Sequence, residues 1–314
     1  MHIARFPLLA LALSSLAGCG ASTPPPPAES PAPPAAAAEP PAPKLSVEVI
    51  TGSPEGFLVT STLVSGEKEA VLIDAQFTLA DAKAVVARIQ ASGKKLSTVY
   101  VTHSHPDHYF GFVAIKEAFP DAKLVALPAT IAGIEKTWQD KVKQWQPLYK
   151  DGITDHPLVP EPLAGNSLEL EGEKLEVVGG LQGDEAENSY VWIPSLGTVV
   201  SGDIVYDQVF PWTAETSPEA RLAWQATLDK LAALGAKRVV PGHQKPEQKQ
   251  EPANLQFTQG YLKAYDAALA SSKTPEELQT KVKAEYPEAA LDVILKIGSE
   301  ASLKPAGKAK TAKK

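Results

Sequence analysis

Cysteine is nearly missing from this chain. Its 314 residues hold one, Cys19, so neither a disulfide framework nor a cysteine-rich zinc module can form within it. Any metal must therefore rest on His, Asp and Glu. Excess basic charge is missing too: 30 Lys and Arg stand against 37 Asp and Glu, for a net charge of −7. That balance leaves no broad basic field for gripping a phosphate backbone and excludes nucleic acid as an expected partner. The apolar run at residues 6–13 is too short to span a bilayer as a permanent helix. What remains is ordinary: 44% hydrophobic and 21% charged residues are proportions of a soluble globular protein with a real core. Ten of the 28 prolines crowd into residues 23–44, leaving about one domain of normal composition behind them.

The start of the chain reads as an address. Residues 1–18 carry Arg5 and then the apolar run, the pattern of an export signal peptide. Leu16-Ala17-Gly18-Cys19 resembles the bacterial lipobox, which implies cleavage before Cys19 and a lipid on its thiol, making Cys19 an anchor rather than a catalyst. Gly20 is like the residue that follows the acylated cysteine in lipoproteins sorted to the outer membrane. Membrane attachment in the cell envelope is thus expected. Residues 19–44, with Pro24 to Pro27 and Ala35 to Ala38, lack large apolar side chains and favour extended polyproline II, a passive tether. Residues 304–314 hold five lysines among small residues and read as a disordered tail.

Between them, residues 45–303 alternate strand and helix patterns. Strands are expected at 45–50, 57–64, 70–73, 96–101, 123–126, 167–170, 175–178, 190–193, 198–200 and 238–240. Helices are expected at 78–92, 109–119, 129–149 and 218–234, with 254–271 and 274–285 closing the domain and Thr274-Pro275 capping the last. This order predicts an α/β class with two mixed sheets flanked by helices. Trp138 and Trp145, seven apart on one helix face, and Phe210-Pro211-Trp212 are candidates for core or for an apolar pocket wall.

The histidines carry the chemistry. Three of the six lie in His103-Ser104-His105-Pro106-Asp107-His108, just after an apolar strand. Imidazoles and a carboxylate are suitable ligands for zinc and similar cations, and a strand end followed by a turn can aim them into one cavity. The run resembles the His-x-His-x-Asp-His signature of the metallo-β-lactamase superfamily, matched by His103, His105, Asp107 and His108. Ser201-Gly202-Asp203 and Pro241-Gly242-His243 follow in the family's order. The resemblance implies an αββα sandwich with its site between the sheet edges. It implies a first metal on His103 and His105, a second on Asp107, His108 and His243, and Asp203 bridging them. It gives Asp107 a catalytic part as well, steering the attacking water or protonating the leaving group.

One ligand departs from the pattern. The family's third first-site histidine is absent from residues 179–188, where Gln182 stands nearest the expected position and Asp184 offers an anionic substitute. His156 is the remaining histidine of the domain, and otherwise a surface loop residue. One or two Zn2+ per chain are expected, with iron or manganese as alternatives. The expected function is metal-dependent hydrolysis of an ester, lactone, thioester or amide bond, β-lactams included, in a small-molecule substrate. The alternative is a non-catalytic envelope lipoprotein that binds a metal or a partner through a degraded first site. Oligomeric state is not readable.

Overall fold

A computed structural model describes residues 44–303. The expected signal peptide, the lipid-bearing Cys19, the tether ahead of Lys44 and the lysine-rich tail lie outside the described residues. The first half runs β1 (Ser46–Thr51), β2 (Thr60–Ser65), β3 (Glu69–Ile73), α1 (Leu79–Ser92), β4 (Lys95–Tyr100), α2 (Phe112–Ala118), β5 (Lys123–Ala126), α3 (Pro128–Tyr149) and β6 (Glu161–Pro162). The second opens with β7 (Ser167–Leu170), β8 (Glu173–Leu181), β9 (Asn188–Ile193), β10 (Thr198–Val200) and β11 (Tyr206–Asp207). It closes with α4 (Pro218–Ala233), β12 (Arg238–Val240), β13 (His243–Gln244), α5 (Ala253–Ala270), α6 (Pro275–Glu285) and α7 (Asp292–Ser302). Strands β1 to β6 form one sheet in sequence order. A second sheet has the order β12-β10-β9-β8-β7, and β11 pairs with β13.

Strand alternation sorts the side chains into layers. Val64, Val71, Ile73 and Tyr100 of the first sheet join Val177, Val191, Ile193, Val200 and Val240 of the second in one buried cluster between the sheets. Their neighbours Leu63, Ala70, Leu72, Val99, Val199 and Val239 point the other way, into the cluster shared with the helices. A period of two cannot do otherwise in a strand covered on both faces. The architecture is the expected αββα sandwich. Among the described residues, no helix is long and apolar enough to cross a membrane.

Several elements differ from expectation, among them the two-residue strands β6, β11 and β13, too short to leave an alternating pattern. The strand expected from Phe57 starts only at Thr60, because Phe57 and Leu58 adopt left-handed backbone (φ 61° and 56°) that a strand cannot contain. The helix expected from Tyr109 starts at Phe112, the preceding residues Pro106–His108 being a separate 3-10 turn. A seventh helix, α7, follows α6, so 274–285 does not close the domain. Gly298 weakens its helical pattern yet lets it pack, since a Cβ there would meet Thr213 Oγ1 at 2.3 Å.

Candidate metal centre

Parallel strands end side by side in both sheets, β3 beside β4 and β10 beside β12, and every cluster residue follows such an end or, for Asp184, lies in the loop between β8 and β9. The turn carrying the histidines is tied down by Asp74, just after β3. Its carboxylate accepts from the Thr102 amide (2.9 Å) and hydroxyl (3.0 Å), and Asp74 itself sits at φ 62°. Such strain persists only where the surroundings over-determine it. Gly242 lets two loops touch: a Cβ there would fall 2.1 Å from Asp203 Oδ1 and 2.6 Å from the Gly202 carbonyl carbon. The Gly242 amide instead donates to Gly202 O at 2.9 Å, which brings His243 against Asp203.

Each of the four imidazoles has one nitrogen committed to an acceptor. His108 Nδ1 donates to Asp74 Oδ2 (2.9 Å), and His243 Nδ1 donates to the Phe57 carbonyl (2.6 Å). The Thr102 hydroxyl gives its proton to Asp74, so it accepts from His103 Nδ1 at 3.0 Å. His105 is turned the other way, with Nε2 3.3 Å from Glu215 Oε2 and Nδ1 facing inward. Neutral histidines so fixed aim four lone pairs at one place, Nε2 of His103, His108 and His243 and Nδ1 of His105.

Carboxylates meet them there. Asp203 Oδ2 lies 3.0 Å from His243 Nε2 and 3.7 Å from His103 Nε2, and Oδ1 lies 3.1 Å from His108 Nε2. Asp184 Oδ2 is 2.7 Å from His105 Nδ1, while Oδ1 is 3.9 Å from His103 Nε2. Asp107 Oδ2 stands 3.4 Å from His243 Nε2 and 3.8 Å from His108 Nε2. Burial opposes ionisation of Asp203, yet the pull of His243, His108 and His103 holds it well below the usual carboxylate range. Burial pushes Asp184 up, and Asp203 adds to this against the opposing His105, to about 7. Burial likewise works against the imidazolium forms, but Asp184 and Glu185 raise His105 well above its ordinary value and Asp203 and Asp74 do the same for His108. Burial and His108 lower His103. The cluster attracts positive charge.

A divalent cation fits it. His103 Nε2, His108 Nε2 and Asp203 Oδ1 are buried without a hydrogen-bond partner, although His108 Nε2 and Asp203 Oδ1 are only 3.1 Å apart. Groups at such a distance must share either a proton or a metal cation, and the unpartnered His103 Nε2 beside them favours the metal. Three groups of donors converge closely enough to share an ion: His103, His105, Asp184 and Asp203; Asp107, His108 and His243; and the less buried set of His105, Glu185 and Glu215.

All of His103, His105, Asp107, His108, Asp203 and His243 are therefore brought together. Asp184, fully buried, completes the first group. Its amide donates to Asp203 O, and Asn188 Nδ2 holds its Oδ1 at 3.1 Å. Gln182 does not line the cleft over the cluster, and its Nε2 donates to Gly183 O. His156 lies far out on the surface, paired with Asp155 and 83% exposed. Trp145, Phe210 and Trp212 line the cleft, whereas Trp138 does not and packs toward His156 instead. The space in and above the cleft, open solvent included, is about 510 Å³.

Sequence reasoning did not single out Asp74, Tyr206 or Glu215. Asp74 directly follows the apolar run of β3, the same strand-end signal that marked His103. Tyr206 donates to Asp203 Oδ2 at 2.6 Å and stacks on His243 (centroids 5.1 Å, planes 4° apart). Glu215 carries no local signal. Its hydrogen bond with His105 outweighs burial and, with Lys141, holds it well below the usual carboxylate range.

The metallo-beta-lactamase superfamily model matches residues 54–243, a span that holds all of these ligands. The chain belongs to the metallo-beta-lactamase superfamily. Among solved structures, a metallo-beta-lactamase family protein of Thermus thermophilus is similar at TM-score 0.60 and 21% identity, over 83% of this chain and 92% of that one. A metallo-beta-lactamase from Pontibacter korlensis is similar at TM-score 0.52 and 20% identity, over 70% and 95%. One from Hirschia baltica is similar at TM-score 0.50 and 15% identity, over 69% and 92%. At these identities the likeness concerns the metallo-beta-lactamase fold alone. Among curated proteins no match was found.

Proposed function

We propose that this superfamily member is a metal-dependent hydrolase acting on an ester, lactone, thioester or amide bond of a small molecule. The observation that carries the reading is the set of four imidazoles, each held by an acceptor on one nitrogen while the other faces Asp107, Asp184 and Asp203. His103, His105 and Asp184 would hold one cation and Asp107, His108 and His243 a second, with Asp203 facing both. Asp184 replaces Gln182 as the proposed ligand. Imidazole and carboxylate donors suit zinc, and the added carboxylate also suits iron or manganese. A bound divalent cation lowers the pKa of coordinated water from about 16 to about 7 and polarises a substrate carbonyl.

The chain's own residues supply the rest. Asp107 lines the cleft and is the most exposed of the clustered carboxylates. The Asp107 oxygen not turned toward His108 and His243 would take a proton from water as the water oxygen bonds to the acyl carbon, then return it to the leaving atom as that bond breaks. Tyr206 fixes Asp203, and the aromatic wall of Trp145, Phe210 and Trp212 excludes solvent from a bound acyl group.

The test is metal analysis of the purified chain with a panel of lactone, aryl ester, thioester and β-lactam substrates. Up to two equivalents of metal are expected, with hydrolysis lost on chelation, regained on reloading, and abolished in His105→Ala. Bound metal with no turnover of any panel member would sink the reading. A lipid anchor at Cys19, placing the enzyme in the cell envelope, is proposed on sequence grounds. Incorporation of a fatty-acid probe, absent in Cys19→Ser, checks it.

A further inference from the structure

Phe57 and Leu58 are consecutive bulky residues with left-handed backbone. Every residue but glycine carries a steric penalty there, because Cβ crowds the following carbonyl oxygen. Such outliers persist where the surroundings over-determine them, and they cluster at functional positions. Here the conformation turns the Phe57 carbonyl toward His243 Nδ1 at 2.6 Å, which leaves Nε2 facing Asp203 and Asp107. Nearby contacts do not replace that bond. The Gln244 amide donates to Leu58 O (3.2 Å) and the Thr60 amide to Gly242 O (2.8 Å), which fixes the backbone around His243 but not its ring. Tyr206 stacks parallel to the ring, and a half-turn of the imidazole in its own plane leaves that stack intact. The Phe57 carbonyl therefore selects the nitrogen that points inward. What holds this carbonyl is the ring of its own residue, buried against Phe77 (5.3 Å), Trp145 (5.3 Å) and Tyr149 (6.3 Å). The Tyr149 hydroxyl also donates to Glu55 O at 2.8 Å, and Ser53 is clamped to Asp81 of α1 through its amide (3.0 Å) and hydroxyl (2.9 Å). Relaxing Phe57 to ordinary backbone would swing its ring out of this cluster.

We infer that Phe57 is a positioning residue: its ring, locked among Phe77, Trp145 and Tyr149, holds the left-handed backbone whose carbonyl sets the inward nitrogen of His243. The inference rests on reading His243 as a metal ligand. It makes the aromatic cluster at one side of the cleft a support of the Asp107, His108 and His243 group, although Phe77, Trp145 and Tyr149 carry no ligand atom.

Two readouts on the full-length, zinc-loaded chain test it without depending on turnover. Chelator competition measures each metal equivalent, and magnetic resonance of nitrogen-labelled histidine reports the imidazole N–H protons. Phe57→Ala keeps the backbone penalty and removes the ring. It should broaden or shift the His243 Nδ1 proton while leaving that of His108, and weaken one equivalent about tenfold or more with the other within about twofold. Phe57→Gly should weaken that equivalent only about threefold or less, because glycine adopts the left-handed backbone without the penalty. Loss of packing alone predicts the reverse order, since glycine adds flexibility. Trp145→Ala should weaken the same equivalent about threefold or more. Joined to Phe57→Ala it should fall short of the product of the two effects, because both act through one carbonyl. If Phe57→Ala does not fold, Trp145→Ala and Phe57→Gly decide the matter by the same readouts. A His243 proton unmoved in Phe57→Ala, a glycine variant as weak as the alanine one, equal losses at both equivalents, or a wild type without a second equivalent would each overturn the inference. The expected order of affinities alongside an inert substrate panel would instead count against hydrolysis and leave this assignment standing.

Discussion

Asp184 and Asp74 show how single side chains decide this site. Asp184 puts a charge where a neutral imidazole is the family's habit, so the first ligand group holds two carboxylates and two histidines. Asp184→Asn removes that charge, and we expect one metal equivalent to weaken about tenfold or more while the Asp107, His108 and His243 group keeps its own. Titration against a chromogenic chelator reads both. Asp184→His should retain both equivalents and shift competition between zinc and manganese toward zinc. Asp74 acts one step further out, fixing His108 through Nδ1 and the turn through Thr102. In Asp74→Asn the second group should lose about 10- to 100-fold in metal affinity. The ligands in the His103 to His108 run were legible because six residues held them all. Asp184 was legible only as one of several acidic side chains in its loop. Glu215 was not legible at all, because it reaches His105 from 110 positions away.

At the scale of elements, the glycine junctions matter more than the helices. Gly242→Ala pushes a methyl into Asp203 Oδ1 and the Gly202 backbone. We expect a loss of about 2 kcal/mol or more in urea unfolding, together with loss of bound metal. Ser217→Ala is the contrast. The Ser217 side chain accepts from the Ala220 amide at the start of α4, so its removal should cost about 1 kcal/mol and leave metal content unchanged. Strands with unbroken apolar runs, such as β3 and β10, were readable from composition and period. The start of β2 was not, because Phe57 and Leu58 take a left-handed backbone that serves the site: the Phe57 carbonyl is what His243 binds. Nor was α7, whose Gly298 looks like a helix breaker until Thr213 is seen beside it.

The molecule as a whole should respond to pH and metal in opposite senses. His105 and His108 are raised above their ordinary value of 6.5 and Asp184 is raised to about 7 from 3.8. The folded, metal-stripped chain therefore holds more protons than the unfolded one in this range, and its stability falls as pH rises through about 7. Asp203 and His103 are shifted the other way, so the contribution of Asp203 is present above 3.8 and that of His103 above 6.5, each lost as pH falls through the depressed folded value. Metal must displace the bound protons, so its affinity rises with pH over the interval where the stripped protein weakens. Thermal melts from pH 5 to 8 should show the chelated protein losing stability toward pH 8. Metal at about 100 times its Kd should raise stability by about 2.7 kcal/mol per site, a gain that requires more total metal at pH 5.

The amino-acid order alone determined the class of fold and the reactive core, because a strand's period of two and a six-residue ligand run are local facts. Tertiary structure decided which acidic residue joins the first group of candidate ligands, which nitrogen each histidine turns inward, and that Glu215 meets His105. Those outcomes depend on groups such as Phe57 and His243, 186 positions apart, whose meeting is fixed only when two sheets pack and their loops share one edge.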